Sequence, residues 1–327
     1  MIKLKDNNNL FGVVESETPE INRTELGDCL YEYLSKITLE EFADLITNRF
    51  IETIEYANLC IGKKSCQKTS LLFNPHRLNT ASKNSSKSLY AALKDRSFVD
   101  GLSRAMIFKN GKVKELLYQV MQLGINGTQY INEFPPHVAR DIAYHYKLSS
   151  GSKILDPCGG WGGRMVGFSV VSDNYECYEP ATCTAKGLLC LAEFIKSFRN
   201  SFTAKVNVMP FEDANIETGF DFALTSPPYY DIEVYSDEKT NSLNRYKTYS
   251  DWVDGFYAPL INKTMAALRP GSYFVLNIGS RKYPLNKELK RICHNKYSMR
   301  NTDIVLSGKA GLGKSGEGET FYEIRKD

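Results

Sequence analysis

The sequence has no Cys-x-x-Cys pair, and only four histidines stand beside its eight cysteines at 29, 60, 66, 158, 177, 183, 190 and 293. That leaves little from which to build a zinc site; Cys60 and Cys66 with a distant histidine are the one combination left open. Several thiols fall inside apolar runs, Cys177 in NYECYE and Cys190 in GLLCLAEF. Reduced, mostly buried thiols in a cytoplasmic protein are therefore expected. No uninterrupted apolar stretch is long enough to span a bilayer, and MIKLKDNNNLFG lacks the apolar core of a secretion signal, so no membrane partner is expected. A strong charge of either sign is missing as well. With a net charge of +3, any nucleic-acid footprint has to be local. There is no internal repeat, which excludes a solenoid.

What is present suits a globular chain of one large domain and a smaller one: 327 residues, 42% hydrophobic and 24% charged. Residues 20–60 read as helical, and Thr38 and Glu41 have the spacing of a capping box. NPHRLNTASKNSSKS, 74–88, reads as an exposed basic loop, and KVKELLYQVMQLG as a further helix. The character then changes. SKILDPCGG, NYECYEP, AKVNVM, FDFALTSPP, SYFVLNIG, TDIVLS and ETFYEIRK read as strand segments, with helical patterns between all but the last two. Alternation of this kind predicts a parallel sheet covered on both faces and ending in an antiparallel hairpin. The expected division is a mainly helical region over 1–130 and an α/β domain over 131–327.

DPCGGWGGR, 156–164, follows a strand and opens a helix. Its glycines let backbone amides approach a ligand, and Glu179 stands near the end of the next strand, about twenty residues on. This is the pattern that places a carboxylate on a ribose hydroxyl pair; the plainer reading is a turn that packs strand on helix. In MPFEDANI, Asp213 is a candidate acceptor for an adenine amine and Phe211 a candidate packing surface, with Glu212 competing for the acid's role.

TSPPYYD, 225–231, sits at the C-terminal edge of the fourth strand, where open α/β sheets bind ligands. It is either a strand terminus and turn, or a rigid shelf for a flat substrate. The glycine loop and this segment together resemble the AdoMet-dependent amino-methyltransferases, which methylate exocyclic nitrogens of bases. Ser226, Pro227, Pro228 and Tyr229 match that family's tetrad in full. Asp156, Pro157, Gly160 and Gly162 match its glycine loop, while Cys158 stands where the family has phenylalanine. The resemblance covers roughly 130–327 and implies a Rossmann-like seven-stranded methyltransferase sheet with S-adenosyl-L-methionine as cofactor. It further implies DNA as partner, duplex first and single strands second, and methyl transfer to cytosine N4, with adenine N6, RNA or protein glutamine as alternatives. The Ser226 hydroxyl and Pro227 carbonyl would draw the amine toward tetrahedral geometry, and Tyr229 would stack on an extruded base. Phe134 and Pro135, in NEFPPH, would close over the methionine end of the cofactor, unless they are an ordinary helix entry.

The tyrosine-rich segment 231–250 would border the target pocket or be a plain surface loop; Arg245 and Lys247 in it, and Tyr230 just before it, are candidate substrate contacts, with Arg281 and Lys282 as further phosphate candidates. His76, Arg77, Lys83 and Lys87 form a second candidate DNA contact. GKAGLGKS, 308–315, matches a P-loop, but a glycine-rich, strand-like segment follows where a helix is required, so a hairpin connection is expected. Lys309 and Lys314 remain candidates for touching a nucleic-acid backbone.

Overall fold

The structure, a computed structural model, describes residues 23–46, 56–63, 68–80, 87–108, 133–232, 234–279, 282–305 and 320–327. The helix expected over KVKELLYQVMQLG, the P-loop-like segment with Lys309 and Lys314, and Cys66, Lys83 and Arg281 lie outside the described residues. Two compact units divide the chain: Met1–Arg49 with Pro75–Asn132, and Phe50–Asn74 with Glu133–Asp327. The second unit includes the stretch 50–74 from ahead of the expected division at 130/131. Polar tethers hold it there. Arg140 Nη1 donates to the carbonyls of Leu59 at 2.9 Å and Lys63 at 2.7 Å, and the Tyr56 and Ser169 hydroxyls meet at 3.0 Å.

In the first unit the capping box forms. Thr38 N donates to Glu41 Oε2 at 2.8 Å and Glu41 N to Thr38 Oγ1 at 3.1 Å, opening the helix Leu39–Ile46. Lys94 Nζ donates to the carbonyls of Ser35 at 2.6 Å and Ile37 at 3.0 Å, just beyond the helix Arg23–Leu34, where carbonyls lack helical partners. The expected exposed basic loop at 74–88 is corrected. Pro75–Asn79 is a 3₁₀ turn with Leu78 and the Arg77 side chain buried, Arg77 at 1% exposure. Lys87 is paired with Asp95, and burial holds the His76 imidazole below its usual range. Leu78 draws the turn inward, and its neighbour Arg77 goes with it.

The second unit carries the expected α/β sheet. β1 (Lys153–Asp156), β2 (Asn174–Tyr178), β3 (Thr203–Asn207), β4 (Phe220–Thr225), β5 (Leu268–Ile278), β6 (Ser298–Val305) and β7 (Thr320–Arg325) lie in the order β3-β2-β1-β4-β5-β7-β6. The first five are parallel, and β7 runs antiparallel to both β5 and β6. Helices Pro136–His145, Gly163–Phe168 and Thr182–Phe198 supply apolar side chains to one core and Ala258–Ala267 and Leu285–Cys293 to the other. The strand order reverses between β1 and β4, which opens a crevice at their C-terminal edges. The long helix expected over YSDWVDGFYAPLINKTMAALRPG is interrupted by a π-turn at Val253–Tyr257. Pro259 has no N–H for the Gly255 carbonyl, and Tyr246 OH donates to that carbonyl instead, at 2.9 Å. Among the described residues no helix is long and apolar enough to cross a membrane.

The thiols correct another expectation. Cys177 and Cys293 are buried, but Cys29, Cys60, Cys183 and Cys190 are exposed. On the helix Thr182–Phe198, Leu188, Leu191 and Ile195 take the inward face at helical spacing, which turns Cys190 to solvent.

The helices Pro136–His145 and Gly163–Phe168 meet with no room to spare: a Cβ on Gly163 would fall 2.2 Å from the Phe134 carbonyl oxygen. Because that obstacle is backbone, Gly163→Ala is expected to destabilise the fold by about 1–3 kcal/mol. Urea denaturation measures this; an unchanged midpoint contradicts the packing.

Candidate active site

β1 ends on Asp156, which is fully buried. Its carboxylate accepts from Arg164 Nε at 2.7 Å and Tyr175 OH at 2.6 Å on one oxygen, and from Thr225 Oγ1 at 2.9 Å and Cys158 N at 3.2 Å on the other. Burial, then the Asp156 charge, pushes the Tyr175 phenol well up, so it remains a donor. Four donors thus occupy Asp156, the candidate cofactor acid, and none of its surface is open. It shapes the loop from behind. Pro157 and the half-buried Cys158 turn the chain, and Arg164 donates to the Cys158 carbonyl. Gly160 and Gly162 follow at φ +56° and +97°, backbone that other residues rarely adopt, and Gly162 leads into the helix Gly163–Phe168.

Glu179 meets this loop from β2. Its carboxylate accepts from Gly160 N at 3.0 Å and Ala181 N at 2.9 Å. Burial outweighs those two backbone donors and raises its pKa to about 7. Phe134 also reaches the loop: the Arg164 guanidinium lies 5.5 Å from its ring centroid, and its ring meets Phe321 edge-on at 6.0 Å. Pro135 is the N-cap of the helix Pro136–His145 and holds Phe134 there through the backbone. Sequence reasoning missed the brace behind both. Asn74 Nδ2 donates to the Trp161 carbonyl at 2.9 Å, and Ser70 Oγ donates to Glu133. Nothing in the short stretch KTSLLFNPH marks Ser70 and Asn74 out.

The third acid is placed differently from expectation. Phe211 is buried edge-on against Tyr178 at 4.9 Å, within the core. Asp213 is exposed but bonded to Arg245 Nη2 at 2.7 Å, while Arg245 Nη1 takes the buried Glu212 at 2.8 Å. Arg245, expected to meet phosphate, thus spends its charge on these acids. It belongs to a strap, 231–250, that crosses from the diproline segment to the glycine loop. Glu238 accepts from Thr182 N and Thr182 Oγ1, both at 2.8 Å, which caps the helix Thr182–Phe198. Tyr235 lies 5.9 Å from Trp161, ring to ring. Lys247 stays exposed.

The diproline segment leaves β4 directly after Thr225, the residue bonded to Asp156. Ser226 is half-buried and makes no hydrogen bond to any described residue; Pro227 is buried and Pro228 half-buried beside it. The Tyr229 ring packs on Gly279, just beyond β5. Tyr230, expected to touch substrate, is instead an anchor. At φ +57° it turns inward, donates from its hydroxyl to the Lys247 carbonyl at 3.0 Å, and sits edge-on to Tyr249 at 5.6 Å and Tyr283 at 5.1 Å. Asp231 accepts from Lys282 at 2.8 Å and Tyr283 OH at 2.5 Å, which takes Lys282 from the phosphate candidates. The structure thus brings the glycine loop, Glu179, Phe134 and Ser226–Tyr229 to one edge of the sheet. Of the nearby acids and cations, Asp156, Arg245 and Lys282 are committed to one another's kind.

No family model and no curated protein matches the chain. Among solved structures, it is similar to a SAM-dependent O-methyltransferase from Thermotoga maritima, at 12% identity over 60% of this chain and 68% of that one, with a TM-score of 0.42. It is also similar to a tRNA (m1A58) methyltransferase from Aquifex aeolicus, at 14% identity over 63% of this chain and 74% of that one, TM-score 0.42.

Replacing Asp156 by Asn keeps the shape and removes the charge that answers a buried guanidinium. Asp156→Asn is expected to cost about 3–5 kcal/mol of stability. Chemical denaturation reads the loss, and a cost near zero would mean Arg164 reaches water.

Proposed function

We propose that this protein transfers a methyl group from S-adenosyl-L-methionine to an exocyclic amino group of a DNA base, cytosine N4 first and adenine N6 second. The observation that carries this reading is the 2.9 Å hydrogen bond from Thr225 Oγ1 to Asp156, which ties the residue before Ser226 to the residue that opens the glycine loop. Two motifs that resemble halves of one enzyme thereby share an edge. The residues fit the cofactor: glycine backbone at Gly160 and Gly162 permits close approach, and Glu179 offers a buried carboxylate suited to a hydroxyl pair. Phe134 and Pro135 would bound its methionine end. When bound, it supplies an electrophilic methyl on a sulfonium.

The chain's own residues do the rest. An exocyclic amine shares its lone pair with the ring and is a poor nucleophile. Ser226 Oγ and the Pro227 carbonyl accept its two hydrogens and turn it out of the ring plane. The prolines hold both acceptors with little freedom left to lose. Tyr229, backed by Gly279, offers a face on which an extruded base stacks. The reaction needs no covalent nucleophile.

Labelled methyl transfer to unmodified DNA, followed by nucleoside identification, tests the reading. N4-methylcytosine is expected, and N6-methyladenine would move the preference to the second base. Ser226→Ala is expected to lose about a hundredfold in turnover while retaining cofactor affinity. Absence of transfer to DNA, with transfer to RNA or a protein glutamine, would overturn DNA as the substrate.

Glu179 gives a pH dependence. Its folded pKa of about 7 exceeds the ordinary carboxyl value of 4.5, so its contribution to folding is fullest below 4.5 and is lost as pH rises through 7. Cofactor binding runs the other way, because ribose hydroxyls need the ionised acceptor. Affinity for S-adenosyl-L-methionine is expected to be about tenfold weaker near pH 6 than near pH 8. Calorimetric titration across that range measures it, and Glu179→Gln should flatten the profile. A slope that survives in the glutamine variant would assign the titration elsewhere.

A further inference from the structure

Asn277, on β5, is 1% exposed, and its Nδ2 has no hydrogen-bond partner among the described residues. A buried donor left without an acceptor is costly and rare in a native interior. An apolar side chain such as that of Val275, two residues earlier on the same strand, would avoid the cost.

Its neighbours are informative. β4 and β5 run parallel with Thr225 opposite Leu276, which sets Ser226 beside Asn277 at the next step. Leu224 and Val275 enter the same core, so by strand alternation Asn277 faces that side, and Ser226 is the first residue beyond β4 next to it. On its other side Asn277 pairs with Phe321, the residue whose ring carries Phe134. Two residues further on, Gly279 lies under Tyr229, where an added Cβ would come 3.3 Å from Cε2. Along the strands, Asn277 is thus next to Ser226, to Phe321 with Phe134 on its ring, and to Gly279 under Tyr229.

Resting on the nucleobase reading above, we propose that Asn277 is a specificity-determining residue that donates its amide N–H to the ring nitrogen flanking the target amine. Cytosine presents N3 beside its amine, and adenine presents N1. Each such edge needs an acceptor for the NH2 group and a donor for the ring nitrogen. Ser226 Oγ and the Pro227 carbonyl only accept in this arrangement, and Asn277 supplies the missing donor. A hydrogen bond to the ring nitrogen does not raise the amine's nucleophilicity, so the residue holds and selects the base, with its effect mainly on KM.

The test crosses a substrate change with a residue change. Random-sequence DNA duplexes are prepared with cytosine or 3-deazacytosine, and with adenine or 1-deazaadenine, and methyl transfer is measured with the unaltered enzyme and Asn277→Ala. The unaltered enzyme is expected to lose about tenfold in kcat/KM, mostly through KM, on the deaza form of its base. Asn277→Ala should begin about tenfold lower and show no further loss. Its melting temperature should equal or exceed that of the unaltered protein, since a buried unpaired donor has been removed. A full additional loss in the variant overturns the proposal while leaving the methyltransferase reading intact. Failure of the unaltered enzyme to methylate any of these duplexes overturns both. If Asn277→Ala melts early, Asn277→Leu, of similar volume, repeats the comparison; early melting of both would make the amide structural and the proposal wrong.

Discussion

A guanidinium that cannot reach water has to be answered inside the protein, and Arg164 is answered by Asp156 at 2.7 Å. The same carboxylate takes a phenol from β2, a hydroxyl from the end of β4 and the backbone of its own loop. Three neighbouring strands are thereby referred to one point. A buried ion pair is weak evidence for stability, because desolvation consumes much of the attraction. What this one does is fix geometry: the glycine loop and the diproline segment cannot drift apart without breaking a hydrogen bond that water cannot replace.

The strap over 231–250 extends that logic outward. It starts at Asp231, held by Lys282 and Tyr283, and passes Tyr235 on Trp161 and Glu238 at the head of the helix Thr182–Phe198. It then reaches Arg245, which is bonded to Glu212 and Asp213. These bonds join the edge of the expected acceptor site to β2, β3 and the glycine loop. Exposed ion pairs are individually weak. Several of them on one segment, with a helix cap among them, give it a defined course across the sheet edge.

Much of this was readable in the sequence because its signals are local. The capping box at Thr38 and Glu41, the alternation of strands with helices, the glycine loop and Ser226–Tyr229 are each written within a few consecutive residues. What was not readable depends on partners far along the chain. Asp156 has the position of a ligand-binding acid, but Tyr175, Thr225 and Arg164 converge on it only in the fold. Arg77 has the look of a surface cation, yet Leu78 draws its turn inside. Arg245 and Lys282 lie on loops in the right place for phosphate, and each is claimed by acids that sequence spacing does not reveal. Tyr230 follows Tyr229 directly, but a left-handed backbone sends the two rings to different surroundings. Ser70 and Asn74 act through the glycine loop from a segment separated from the sheet domain by more than fifty residues of another unit.

Two groups at the same sheet edge stand against the stability of the fold. Glu179 is buried deeply enough for its pKa to rise to about 7, so at neutral pH the folded protein carries a carboxylate it would rather protonate. Asn277 keeps a donor in the interior with nothing to receive it. Neither is explained by packing, since glutamine or an apolar residue would serve each place at less cost. Both lie at the C-terminal ends of parallel strands, on the edge where the order reverses. Their chemistry is complementary to hydroxyls in one case and to a lone-pair acceptor in the other.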